Sequence, residues 1–509
     1  MKTVYLRKNE YRDSLFLMRL SNEVSNWQGV QQAVIVMGTQ TNKSILQEVG
    51  LLEGEAKDAS PDDLVVAIEM DTTISEADLV SRLDKQFESG KSLPHTKEGY
   101  RNLEEALKSK LDAKLVVISI AGEYAFDVAK KALENRRHVF CFSHHISIDD
   151  EISLKKLALQ KGVLMMGPDC GTAILDGIGI GFANKVRRGR IGLISSSGSG
   201  AQEVSVLINN SGGGISQVIG VGGRDMDTPV DGLMTEAALR MLSQSNEIDV
   251  VVILTKKASF EAQVKILSML QEINIPAVVN FSLDTGRLPQ FKGRIEFATT
   301  YEETAQKAIS LINLPWNLPP IQGISNIQLI KNLKKINRGR KYVRGLFAGG
   351  SLCNEAVNIL TSQGLKVHSN LSGQLGSQIK GHVLLDLGAE EYTQGLPHPF
   401  IDPRIREIEI EKAIEDNSIG VILLDVVLGY GCHPDPAGEI VRTLQKAQKK
   451  HGENLRPVFI AYVCGTPEDP QNFALQREKL ISAGVLITES NASAARLTAD
   501  IVSNLERRA

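Results

Sequence analysis

The stretch Gly189-Arg-Ile-Gly-Leu-Ile-Ser-Ser-Ser-Gly-Ser-Gly-Ala-Gln-Glu-Val-Ser-Val-Leu-Ile208 constrains this chain more than any other. Ile191 to Ile194 is an apolar run the length of a buried strand, and Ser195 to Gly200 offers only small residues. From Ala201 the spacing turns helical, with Val204, Leu207 and Ile208 on one face. A strand, a small-residue loop and a helix start in that order present backbone N–H groups and hydroxyls at the positive end of a helix. No side chain larger than Ser obstructs the approach. Such a place stabilises an anion, most simply a phosphate. The alternative is a tight βα turn that holds nothing, since Gly-rich turns are common.

The same alternation runs through the chain. Residues 1–92 read as a small α/β unit, with strands at Ala33–Met37 and Asp63–Glu69 and helices at Thr41–Val49 and 75–87. Residues 93–187 read as a Rossmann-like unit, with strands at Leu115–Ile120, His138–Phe142 and Val163–Met166. Residues 188–318 and 319–509 read as two further parallel-sheet units of flavodoxin-like architecture. Linkers are expected at Lys91–Thr96 and at Leu314–Pro320, where turn residues and prolines interrupt the pattern. Continuous apolar strands between amphipathic helices imply parallel sheets covered on both faces. The expected fold is therefore multi-domain α/β.

Bulk properties narrow the function. A formal net charge of −3 gives no field that attracts nucleic acid or a membrane surface, and 5% aromatic content argues against a base-stacking surface. The apolar runs are too short to span a bilayer and the N-terminus lacks a signal-peptide core. Cys141, Cys170, Cys353, Cys432 and Cys464 form no CxxC pair, so neither a disulfide framework nor a metal site is expected. A cytoplasmic protein with free thiols is the simplest expectation.

In open parallel sheets ligands bind beyond the carboxyl ends of the strands. Four loops there carry unusual residues: 167–172, 195–200, 349–354 and 429–438. Two of them, 195–200 and 349–354, are Gly/Ser-rich helix starts, one in each late unit. Facing units would let two helix starts converge on one phosphoryl group. His433, in a Gly- and Pro-rich loop, is a candidate acid or base. The cysteines near strand ends are expected to pack as small residues. His144-His145 lacks the spacing of a helical metal pair and is expected to be structural or at the surface.

Gly162-Val-Leu-Met-Met-Gly-Pro-Asp-Cys-Gly-Thr-Ala-Ile174, the 189–199 stretch and Ile219-Gly-Val-Gly-Gly223 resemble the α subunit of succinyl-CoA synthetase. Leu385-Asp-Leu-Gly388 and Leu424–Gly431 resemble the C-terminal domain of its β subunit. The fused order and the variant Gly167-Pro-Asp-Cys-Gly-Thr172 most resemble the FdrA family, over roughly residues 100–509. Four family features are missing. The region that would carry phosphohistidine, Gln290–Phe297, has no His, and no His occurs between His145 and His368. Lysines stand in Leu254–Ser259 where a Glu would orient that His. Val36–Asn42 lacks the glycines of a CoA-binding loop, and there is no ATP-grasp domain. Without a phosphoryl carrier the resemblance implies a retained phosphate site serving direct transfer from an acyl phosphate.

The family association with ureide catabolism then implies an oxamate carbamoyltransferase subunit, using phosphate or carbamoyl phosphate, with CoA not expected and other subunits as partners. An ADP-forming acyl-CoA ligase subunit with a separate ATP-grasp partner is one alternative, and a non-catalytic scaffold another. On the leading reading Ser196, Ser197, Gly198, Ser199 and Gly200 bind phosphate from one side. Gly429, Gly431 and Cys432 bind it from the other, with His433 as the catalytic candidate. Asp169, Cys170, Gly171, Thr172, Gly349, Gly350, Ser351 and Asn354 line the substrate pocket, and no metal is expected.

Overall fold

The structure is a computed structural model describing residues 2–508 apart from 9, 11, 13, 26, 62, 72–74, 90–99, 101, 282–293, 318–338, 374, 376–378, 394–396 and 452–456. The linker expected at 91–96, the end of that expected at 314–320, and residues 290–293 lie outside the described residues. Two compact units form: residues 1–102 with 393–397, and residues 103–392 with 398–509.

In the first unit, β1 (Lys2–Arg7), β2 (Val30–Met37) and β3 (Leu64–Met70) make an antiparallel sheet with β3 in the centre. Six of the seven β3 residues are buried, because helices cover one face and a short 3-10 turn with Leu46 and Leu51 the other. The sequence shows β2 and β3 plainly. It hides β1, whose residues are mostly half-buried and leave no continuous apolar run.

The second unit holds three sheets. β4 (Leu115–Ile118), β5 (His138–Cys141) and β6 (Met165–Met166) form a short parallel sheet. β7 (Thr172–Leu175) and β8 (Ile178–Gly181) then form a hairpin turned at Asp176 and Gly177, whose φ values are +50° and +79°. Asp-Gly is the ordinary sequence of such a turn, so this hairpin, unexpected above, had a readable signal.

β7 joins β9 (Ile191–Ser195), β10 (Ile215–Gly220), β11 (Val250–Leu254), β12 (Ala277–Asn280) and β13 (Ile295–Phe297) in a seven-stranded sheet ordered β13-β12-β11-β9-β10-β7-β8. The five strands β9 to β13 are parallel in flavodoxin-like order, with β9 at the point where the winding reverses.

The last sheet contains β14 (Tyr342–Phe347), β15 (Val367–Ser369), β16 (His382–Asp386), β17 (Ile419–Val427), β18 (Val458–Cys464) and β19 (Leu486–Thr488), ordered β15-β16-β14-β17-β18-β19. It is parallel throughout and repeats the flavodoxin-like order with β15 as an added edge strand. Here β14 occupies the reversal point. One apolar cluster, including Ile208, Tyr301, Leu352, Ala356 and Ala495, runs through the helices between the two large sheets and fixes them against each other.

Candidate functional site

Both reversal-point strands feed directly into a Gly/Ser helix start. β9 leads into helix Gly198–Asn210 and β14 into helix Gly350–Ser362. The two starts touch. Ser197 caps its own helix, its Oγ accepting from the Gly200 N–H at 3.0 Å, and the same hydroxyl donates to Ser351 Oγ at 2.6 Å. The Ser351 N–H donates to Ser199 Oγ at 3.3 Å. A Cβ at Gly349 would stand 2.9 Å from that of Ser199, so only glycine allows this approach. Four amides of these first turns, those of Gly198, Ser199, Gly350 and Leu352, donate to no acceptor among the described residues. The positive ends of two helices thus meet with unspent donors, which is an anion-binding arrangement.

Charged groups complete the crevice. Gly349 has no capping side chain; the fully buried Asp425 of β17 replaces one, accepting from the N–H groups of Ala348 and Gly349 at 2.8 and 2.7 Å. Arg406 neutralises it at 2.7 Å and donates to the Asp425 carbonyl at 2.7 Å. Burial nevertheless pushes the Asp425 carboxyl up, because desolvation outweighs the nearby guanidinium. Asp386, at the end of β16, accepts from the Gly388 N–H at 2.9 Å, and its other oxygen abuts Gly350. Burial raises this carboxyl to about 6, against the lowering influence of Lys256.

Lys256 follows β11 with an exposed side chain, and its N–H donates to Ser196 Oγ at 3.0 Å. Thr172 closes the other side: its Oγ1 donates to the Phe182 carbonyl at 2.8 Å and lies 3.2 Å from where a Gly198 Cβ would be. Behind the starts, buried Tyr301 sits against Gly200 and beside the Ser197 and Ser351 hydroxyls.

Of the expected residues, Ser196, Ser197, Gly198, Ser199, Gly200, Thr172, Gly349, Gly350 and Ser351 are brought together. The second helix start is the one at 349–351, which corrects the expectation that 429–433 faces 195–200. That loop packs against Phe182 and Phe400 instead: the Tyr430 N–H donates to the Ala183 carbonyl at 2.8 Å, the His433 N–H to the Phe400 carbonyl at 2.7 Å, and a Cβ at Gly431 would stand 3.1 Å from the Phe182 ring. The Gly429 N–H donates to Gln471 at 3.0 Å. Burial raises the Cys432 thiol, which faces the Leu428 carbonyl. His433 accepts the Asp435 N–H on Nδ1 at 3.1 Å and approaches Glu439, on the helix Pro436–His451 that follows, with Nε2 at 3.8 Å.

Cys170 is buried and its thiol, pushed up to about 12 by desolvation, points at the Thr172 and Gly220 carbonyls. Asp169 is exposed and pairs with His144 at 3.2 Å. Gly171 lies against Phe142 and Phe182. Asn354, one turn along its helix, lines a cavity of about 240 Å³ with Asn280, Thr299, Asn358 and Glu355. The residues missed by sequence reasoning are Lys256, Asp386 and His398. The first two lie inside quoted motifs, Leu254–Ser259 and Leu385–Gly388, and their position at strand ends was a usable signal.

The chain is similar to several known proteins. Over 506 residues the chain is 34% identical to an uncharacterized protein, YahF, of Escherichia coli K12, covering 98% of both. The chain belongs to the FdrA family. A CoA-ligase family model matches residues 346–501, a CoA-binding domain model residues 186–283, and a model described as AllF, heavy metal-associated domain, residues 1–102. The chain is also similar to the α-2 subunit of the ADP-forming succinate–CoA ligase of Trichomonas vaginalis, 32% identical over 24% of this chain and 41% of that one. The corresponding subunit of Methanothermobacter thermautotrophicus is 25% identical over 35% and 59%.

The chain therefore spans about half the length of these ligase subunits. Among solved structures, an ATP citrate lyase from Methanothrix soehngenii with citrate and coenzyme A aligns at TM-score 0.36 and 13% identity, covering 80% of this chain and 83% of that one. The CoA-binding and CoA-ligase matches weigh against the expectation that CoA is not a ligand. Residues 1–102 do not suit a heavy metal: they contain no Cys, and their single His, His95, lies outside the described residues. Among the described residues no helix is long and apolar enough to cross a membrane.

Proposed function

We propose that this chain is one subunit of an acyl-transferring enzyme of the CoA-ligase class, holding a phosphoryl group between the starts of helices Gly198–Asn210 and Gly350–Ser362. The observation that carries the reading is the meeting of these two starts, with four unspent amides and Lys256 at the rim. A dianion gains from both helix dipoles and the ammonium, and Asp386 supplies a carboxyl that is partly protonated near neutral pH. The ADP-forming acid–CoA ligase activity of the named relatives leads, with nucleotide chemistry on a separate ATP-grasp subunit.

Carbamoyl transfer to phosphate, as by an oxamate carbamoyltransferase, is the second reading. It is favoured by the absence of any His between His145 and His368, which leaves the matching segment no phosphoryl carrier. Calorimetry with inorganic phosphate, CoA and carbamoyl phosphate tests the site. Incubation with γ-labelled ATP and partner subunits separates the readings: acid-labile label on this chain favours ligation, and label-free phosphorolysis of a carbamoyl substrate favours transfer. Binding of none of these ligands refutes both.

A further inference from the structure

His398 lies in no motif that drew attention in the sequence. The Phe400 N–H donates to its Nδ1 at 3.1 Å, so that nitrogen keeps its lone pair and the ring proton resides on Nε2. The ring packs edge-on against Phe400, centroids 4.7 Å apart, and beside Phe182 at 5.7 Å. Nε2 stands over Gly388, where a Cβ would come within 2.6 Å of it and 3.2 Å of Asp386 Oδ1. The opposite oxygen of Asp386 abuts Gly350, so the carboxyl lies between Gly350 and Gly388. No described residue accepts from Nε2. Burial, reinforced by the positive charge of Arg406, His144 and Lys256, holds the ring uncharged by pushing it down to about 4.

We propose that His398 is a binding residue of the crevice, donating its Nε2–H to the acyl oxygen of an acyl phosphate whose phosphoryl group lies between the two helix starts. The assignment rests on the phosphoryl-holding reading above. Lys256 and the free amides match the charge of a phosphoryl group. An acyl carbonyl carries only partial charge and is matched by an uncharged, fixed donor, which adds no net charge to the aromatic wall of Phe182 and Phe400. Gly388 permits the approach because any side chain there would displace the imidazole.

The experiment uses the full chain labelled with ¹⁵N-histidine, with His398→Phe to assign the signal. The Nε2–H tautomer is expected from pH 8 down to pH 5. Acetylphosphonate, a stable acyl phosphate mimic, should move the Nε2 resonance, and inorganic phosphate should not. His398→Phe should weaken acetylphosphonate binding about tenfold with phosphate binding unchanged, and His398→Gln, which keeps an N–H donor, should recover most of the loss. An Nδ1–H tautomer, titration near 6.5, or equal effects on both ligands overturns the role of His398 and leaves the phosphate site standing. Failure of wild-type protein to bind either ligand overturns the site and this role together.

Discussion

Replacing Asp425 by Asn tests whether the second helix start is held by a buried ion pair. The Asp425 side chain is fully buried and receives three bonds at 2.7–2.8 Å, two from the amides of Ala348 and Gly349 and one from Arg406. An Asn at this position keeps one acceptor oxygen and turns an N–H toward a donor. It leaves the Arg406 guanidinium, 5% exposed, without a counter-charge. Removing one partner of a buried pair costs about 3–5 kcal/mol, comparable with the whole stability of many domains.

Asp425→Asn should therefore lower urea stability by about 3 kcal/mol or more. It should raise amide hydrogen exchange at 348–353 and abolish phosphate binding, because the Gly349–Ser351 turn no longer meets Ser199. The double variant Arg406→Met with Asp425→Leu removes both charges and should be less destabilised than Asp425→Asn alone. An Asp425→Asn protein that melts within 1 kcal/mol of wild type (about 1.4 kcal/mol being tenfold in an equilibrium constant) and binds phosphate normally would refute the reasoning.

Three further outcomes follow from the same geometry. Gly198→Val should weaken phosphate binding at least tenfold by crowding Thr172 and the free amides, and Gly198→Ala should be milder because its methyl meets only Thr172 Oγ1 at 3.2 Å; equal affinities in calorimetry would dismiss the cradle. Ser197→Ala should lower stability by about 1–2 kcal/mol, as its hydroxyl both caps one helix and bonds Ser351, and a thermal melt reads this. Asp386, raised to about 6, adds a negative charge to the crevice as pH climbs through that value, so sulfate should bind about tenfold more weakly at pH 8 than at pH 5 in wild type and equally at both in Asp386→Asn.

The buried carboxyls of Glu203 and Glu355 are both raised by desolvation. Their stabilising contribution is fully present below the unfolded-state pKa of about 4.5 and is lost as pH rises through the folded value. Glu355→Gln should flatten the fall in melting temperature between pH 5 and pH 8, and an unchanged slope counts against this.

What the residues themselves carried was local. Ile191–Gly200 announces a buried strand, a small-residue turn and a helix start within one short window, and the structure contains all three. Ala348–Asn354 does the same for the second start, whose helix begins at Gly350. Pairing was not local. The loop at 429–433 looks as suited to an anion as the one at 349–351, and nothing within either window separates them.

Strand order separates them. β14 sits between β16 and β17 at the reversal point, so its loop opens opposite the equivalent loop of β9, and β17 delivers the Asp425 that fastens it. The same packing brings Lys256 to one crevice with Asp386 and His398, from segments more than a hundred residues apart. Periodicity and turn chemistry act over a few residues and are written in the chain. Which carboxyl ends face each other depends on how whole sheets bury their apolar faces, and only the folded chain decides that.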